Sequence, residues 1–290
     1  MTPAPLLPSA PARPDPLAGG GASRPAATTA AAVAVLTLAA WGALLAEALR
    51  SGAGADALLS AICRPTALDG GAGGPVLAGF GFAAALWSVM TVAMMLPTAA
   101  PMALAYAGIV ERRSRDGQRS ASPLTVLAGY LAVWIAVAIL AALAQTVLAG
   151  LASRLALPPN AAGVLAGFAM GAAGLYQFSD WKDRCLAVCR RPDRELERGA
   201  GPSTFSGLRL GVEQGRACLG CCAATMGLML LAGSMNLVWM AALASLAMVE
   251  KMSAGRAVPR AIGAGLIAAG LAVAVSAVGP EAVLRALTGR

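Results

Sequence analysis

The sequence predicts an all-α fold, a polytopic transmembrane bundle of about seven spanning helices with the N-terminus inside and the C-terminus outside. Three observations carry this expectation. Of 290 residues, 58% are hydrophobic and 12% charged, with a mean hydropathy of +0.71; soluble domains carry about 25% charged residues, so no water-facing surface can be built from this composition. Uncharged runs recur that are long enough to cross a hydrocarbon core of about 30 Å. Arg and Lys are confined to the gaps between those runs. A net charge of +8 therefore reads as topological, and the absence of a basic stripe with interleaved aromatics argues against nucleic-acid binding.

Residues 1–28 hold Pro3, Pro5, Pro8, Pro11, Pro14, Pro16 and Pro25 with Gly19, Gly20 and Gly21, the composition of a disordered tail. The membrane domain is read as 29–280 and a short C-terminal tail as 281–290. A first span is expected at 29–49, an uncleaved anchor, because the region before it is too long for a signal peptide. The run from Gly70 to Val110 carries no charge but for its flanks and is broken by Pro97 and Pro101; it predicts one long span bent where the prolines remove backbone donors. Further spans fall at 124–151, 160–178 and 261–279.

The segment from Ser179 to Arg216 is the largest polar stretch, with Lys182, Arg184, Arg190, Arg191, Arg194, Arg198, Arg209 and Arg216. The positive-inside rule puts it in the cytoplasm, together with the Arg112–Arg119 and Lys251–Arg260 loops. All three lie inside only if the uncharged stretch from Ala217 to Val249 crosses twice or forms a re-entrant hairpin, turning at Gly233-Ser234. Localisation is the inner (plasma) membrane, multi-pass. Abundant Ala, Gly and Arg with little Lys suggests a bacterial source.

There is no histidine, which removes the usual ligand of catalytic zinc, haem and blue copper and the usual neutral-pH base. Chemistry is left to cysteine and methionine. Cys218-Leu219-Gly220-Cys221-Cys222 puts thiols at i, i+3 and i+4, on one side of what reads as the first turn of an apolar helix, where the N-terminus favours the thiolate. Cys185 and Cys189 repeat the i, i+4 spacing near the same membrane face. Thiolate and thioether ligands select Cu(I), zinc or iron–sulfur over hard cations, and copper(I) fits best beside Met90, Met94, Met95 and Met226, with zinc or another soft metal as the substitute. Met also fills gaps between helices, and a lone cysteine such as Cys63 is ordinarily a small hydrophobe.

Other intramembrane polar groups are fewer. Glu250-Lys251 at a span end can bind a cation or pair with neighbouring charges, and Pro97 marks irregular backbone of the kind that lines cavities. Gln145, Gln177 and Asn236 read as interhelical hydrogen-bonding groups. No nucleotide loop, GxSxG motif or intramembrane carboxylate pair is present.

These motifs resemble a bacterial family of predicted metal-binding integral membrane proteins. The similarity rests on Trp87-Ser88-Val89-Met90-Thr91-Val92-Ala93-Met94-Met95-Leu96-Pro97, Tyr176-Gln177-Phe178, Trp181-Lys182, Cys185-Leu186 through Cys189-Arg190, the CLGCC motif, Met235-Asn236-Leu237-Val238-Trp239-Met240 and Glu250-Lys251. It implies a copper-chaperone-like protein, not an enzyme, whose partners besides the lipid bilayer include a copper-dependent oxidase or other copper-accepting protein. One departure stands out: the family motif follows a Gly-His pair and precedes Trp, whereas here Gly215-Arg216-Ala217 precedes it and Ala223 follows. The alternative function is a membrane thiol–disulfide oxidoreductase exchanging through the CxxCC and CxxxC cysteines.

Overall fold

The computed structural model describes residues 24–50, 76–155, 160–232 and 237–279. Among them every regular element is a helix: α1 (Arg24–Arg50), α2 (Val76–Arg115), α3 (Pro123–Leu155), α4 (Ala161–Tyr176), α5 (Asp180–Arg190), α6 (Asp193–Gly199), α7 (Thr204–Gly227), α8 (Met229–Ala232), α9 (Leu237–Met252) and α10 (Ala257–Val278). Helix α1 starts at Arg24, inside the stretch read from sequence as tail, because Pro25 suits a first helical turn and an Ala-rich run follows it. Cys63, the Gly233-Ser234 turn, Asn236 and the C-terminal tail lie outside the described residues.

Among the described residues four helices are long and apolar enough to cross a membrane: Arg24–Arg50, Gly79–Arg115, Pro123–Leu151 and Ala257–Val278. A fifth is reached if Ala161–Tyr176 and Asp180–Arg190, bent by 66° where they meet, form one span. Ser179 makes that bend by capping α5, its hydroxyl accepting from the Lys182 amide at 3.2 Å, and Asp180 and Asp183 in the first turn complement the helix dipole.

Helix α2 continues unbroken for 40 residues past Pro97 and Pro101. Proline at 97 cannot donate to the carbonyl of Ala93, and a buried carbonyl left so would be costly. Trp41 of α1 supplies the missing donor, its indole Nε1 lying 3.1 Å from that oxygen. The same indole thereby fixes α1 against α2.

Small residues decide the remaining packing. Gly207, Gly211 and Gly215 form a stripe down α7 that meets α3 so closely that a Cβ on Gly211 would collide with the Val126 carbonyl, and one on Gly129 of α3 with the Leu208 carbonyl. A second stripe, Gly163, Gly167 and Gly174 of α4, packs on α10: a Cβ on Gly174 would come within 2.7 Å of the Gly263 carbonyl oxygen. The α4 glycines thus serve packing within the chain, whereas Gly171 has nothing within 4 Å.

The three basic segments converge at one end of the bundle. Arg112 of α2 pairs with Glu197 of α6 at 3.3 Å, and Arg256 before α10 pairs with Asp183 of α5 at 2.7 Å. Arg190 reaches the Glu250 carbonyl at 2.7 Å and the Gly255 carbonyl at 2.6 Å. Exposed pairs of this kind contribute at most about 1 kcal/mol each, but they record which ends of the helices are neighbours. That end carries the site.

Candidate metal centre

Because α7 begins at Thr204, capped by Ser203 whose hydroxyl accepts from the Ser206 amide at 3.1 Å, the CLGCC motif falls in the C-terminal half of the helix. This corrects the expectation of cysteines in a first turn: no helix N-terminus polarises them. The reason is that the polar residues before the motif, Arg209 to Arg216, continue the helix on the strength of Gly211 and Gly215 packing against α3.

The 218, 221, 222 spacing places all three side chains on one face, directed into the core. Cys218, Cys221 and Cys222 are each about 1% exposed, and their sulfurs lie within 4.8 Å of one another. The Cys221 and Cys222 sulfurs are 3.4 Å apart, and Cys189 of α5 brings its own to 3.7 Å from Cys221. Metal–thiolate bonds of about 2.3 Å in a trigonal site place sulfurs roughly 4 Å apart; the Cys221–Cys222 and Cys189–Cys221 separations fall somewhat short of that, and the three α7 sulfurs stay within 4.8 Å of one another. All are free thiols.

Cys185 stands one turn before Cys189 and half-buried, against the turn of α7 that carries Gly220; a Cβ on Gly220 would collide with its sulfur. Glycine in the middle of CLGCC is therefore what lets α5 approach closely enough for Cys189 to join. The Tyr176 hydroxyl, which donates to the Gly220 carbonyl, secures the same contact from α4.

Two groups absent from the CxxCC pattern touch Cys218. The Tyr130 hydroxyl of α3 lies 3.0 Å from its sulfur and 3.3 Å from the Met95 carbonyl oxygen. The Lys251 ammonium of α9 donates to the same sulfur at 3.1 Å and to the Thr98 hydroxyl at 2.7 Å. A thiolate at Cys218 would thus be held by one cation and one hydroxyl in a water-poor interior. Adjacent Glu250 points elsewhere: it accepts from Lys182 at 2.8 Å in an ion pair with both side chains almost fully buried. Its second carboxylate oxygen, like both side-chain polar atoms of Gln177, has no hydrogen-bond partner among the described residues. Gln145 does bond between helices, accepting from the Trp87 indole at 2.6 Å.

The methionines occupy a different place. Met90, Met94 and Met95 of α2 and Met226 of α7 line one cavity of about 260 Å³, joined by Met229, and none of the described cysteines lines it. Along α7 the cavity takes Leu219, Ala223 and Met226 while the cysteines take the neighbouring face. Pro97 lines neither; it sits one turn from Met94 and shapes α2 through the freed Ala93 carbonyl. Sequence reasoning misses Tyr130 and Thr98, whereas Met229 stands three residues past Met226 in the methionine run that follows the cysteines. A tyrosine inside an apolar run is a signal that points to Tyr130, because its hydroxyl needs a partner when buried.

The PpoB2 copper chaperone family model matches residues 84–273, which include every one of these groups except those of α1. This chain belongs to that family. No curated protein and no solved structure shows a significant match.

Proposed function

We propose that this member of the PpoB2 copper chaperone family is an inner-membrane protein that takes up copper(I) as cargo and passes it to a copper-accepting protein such as a copper-dependent oxidase. The observation that carries the reading is the buried Cys218, Cys221, Cys222 group with Cys189 at its edge. An all-sulfur set with no imidazole and no carboxylate suits a soft monovalent ion. Three thiolates around Cu(I) sum to a charge of about −2, and the Lys251 ammonium beside Cys218 offsets part of it. Tyr130 orients the same sulfur.

Seven crossings, N-terminus inside and C-terminus outside, are supported by the convergence of the basic ends: α1, α2, α3, α4, the apolar part of α7, α9 and α10 then alternate, and the Arg112, Arg190 and Arg256 bonds all fall on the cytoplasmic side. In this reading copper is received or released near the cytoplasmic face.

The test is metal content of the detergent-solubilised chain, purified reduced and without oxygen, beside Cys221→Ser/Cys222→Ser. The expected result is stoichiometric copper in the wild type that is lost from the variant. Zinc in its place would replace the ion, and a metal-free protein whose thiols oxidise as a pair would favour the thiol–disulfide exchange reading, for which the 3.7 Å Cys189–Cys221 separation is the pertinent geometry.

A further inference from the structure

Resting on the copper(I) reading above, we propose that the methionine-lined cavity is a second, separate Cu(I) site of neutral thioether donors, a weaker holding site next to the cysteine group rather than an extension of it. Five thioethers line this one cavity: Met90, Met94 and Met95 from α2, Met226 from α7, and Met229 just after it. Met90, Met94, Met95 and Met229 are each at most 2% exposed. These side chains border a partly open cavity of about 260 Å³, and Met226 among them is only half-buried.

The rest of the lining fits a monovalent soft cation. Trp87 and Trp134 bring indole rings to the same cavity, and an indole face attracts a cation that has shed its water. The Trp134 indole N–H is buried without a hydrogen-bond partner among the described residues. Among the described residues no acidic or basic side chain lines the space. An ion there keeps its single positive charge, and a site of neutral donors binds it less tightly than three thiolates do.

The two sites share walls. Leu219 and Ala223 face the cavity while their neighbours Cys218 and Cys222 face the cysteine group, and Met95 lines the cavity with its side chain while its carbonyl oxygen meets the Tyr130 hydroxyl that touches Cys218. An ion leaving the thioethers has one helix face to cross before it meets thiolates. The bonds exchanged are thioether–copper for thiolate–copper, with no change of oxidation state.

The experiment titrates Cu(I) into the full chain, reduced and oxygen-free in detergent, against a chromogenic Cu(I) chelator, and follows sulfur coordination by copper K-edge X-ray absorption. The wild type is expected to bind about two ions, one tight and one weaker. Met90→Leu/Met94→Leu/Met226→Leu, which conserves volume, loses the weaker ion alone and keeps the apo-protein melting temperature. Met226→Leu by itself weakens that ion about tenfold. Cys221→Ser/Cys222→Ser loses the tight ion and keeps a weaker one whose spectrum is that of thioether coordination. Two equivalents unchanged in the triple-leucine variant, or a single equivalent in the wild type, would overturn the second site. Loss of an ion from the leucine variant with none lost from the serine variant would overturn the cysteine site and leave this one standing.

Discussion

The ammonium of Lys251 lies 3.1 Å from the sulfur of Cys218, although the two residues come from different helices and only one of them belongs to the CxxCC motif. A charged donor this close to a buried sulfur complements a thiolate and the net negative charge of a copper–thiolate complex.

Lys251→Met should therefore weaken copper(I) binding about tenfold to hundredfold, the range for losing a hydrogen bond to a charged group. Lys251→Arg, which keeps the charge but spreads it over a planar fork, should fall between. Competition against a Cu(I) chelator measures both, and equal affinities in all three proteins would remove Lys251 from the site.

The Lys182–Glu250 pair is buried at both ends, 0% and 3% exposed. Removing one partner leaves a charge without compensation, which costs about 3–5 kcal/mol. Lys182→Met and Glu250→Leu should each lower the thermal midpoint in detergent sharply, and the double replacement should recover most of the loss. Additive losses in the double variant would show that the two residues are not coupled.

Gly211→Ala puts a Cβ against the Val126 carbonyl at the α3–α7 contact. Backbone cannot yield as a flexible side chain can, so the helices must separate, at a cost of about 1–3 kcal/mol or more. Because Tyr130 and Cys218 face each other across that contact, copper affinity should fall along with stability. Gly171→Ala, with nothing within 4 Å, serves as the control expected to change neither.

The proposed seven-span topology predicts that Ser234→Cys reacts with a membrane-impermeant maleimide added from outside intact cells, in a background where Cys63 is replaced by Ala. Labelling only after the membrane is opened would instead support a re-entrant hairpin and five spans.

The helical class was legible in the hydropathy and charge distribution, because a long uncharged run suited to lipid satisfies its own backbone as a helix. The cysteine pairs were equally legible, since i, i+3 and i, i+4 spacing puts thiols on one helix face whatever the helix packs against. Interhelical bonding by Gln145 was legible because an amide in an apolar run seeks a partner, whereas Gln177, read the same way, finds none among the described residues. Where α7 begins was not legible. Arg209, Glu213 and Arg216 read as loop, yet they extend the helix because Gly207, Gly211 and Gly215 pack it against α3.

The sequence by itself determined the class of fold, the soft character of the donors and the absence of imidazole, all of which follow from local composition and period. Only the tertiary structure decided that Cys189 reaches Cys221 over Gly220, that Glu250 and Lys251 turn to different partners, and that the methionines gather in their own cavity instead of among the cysteines. These are facts about which helix faces meet, and that is set by long-range packing of small residues, which no single segment encodes.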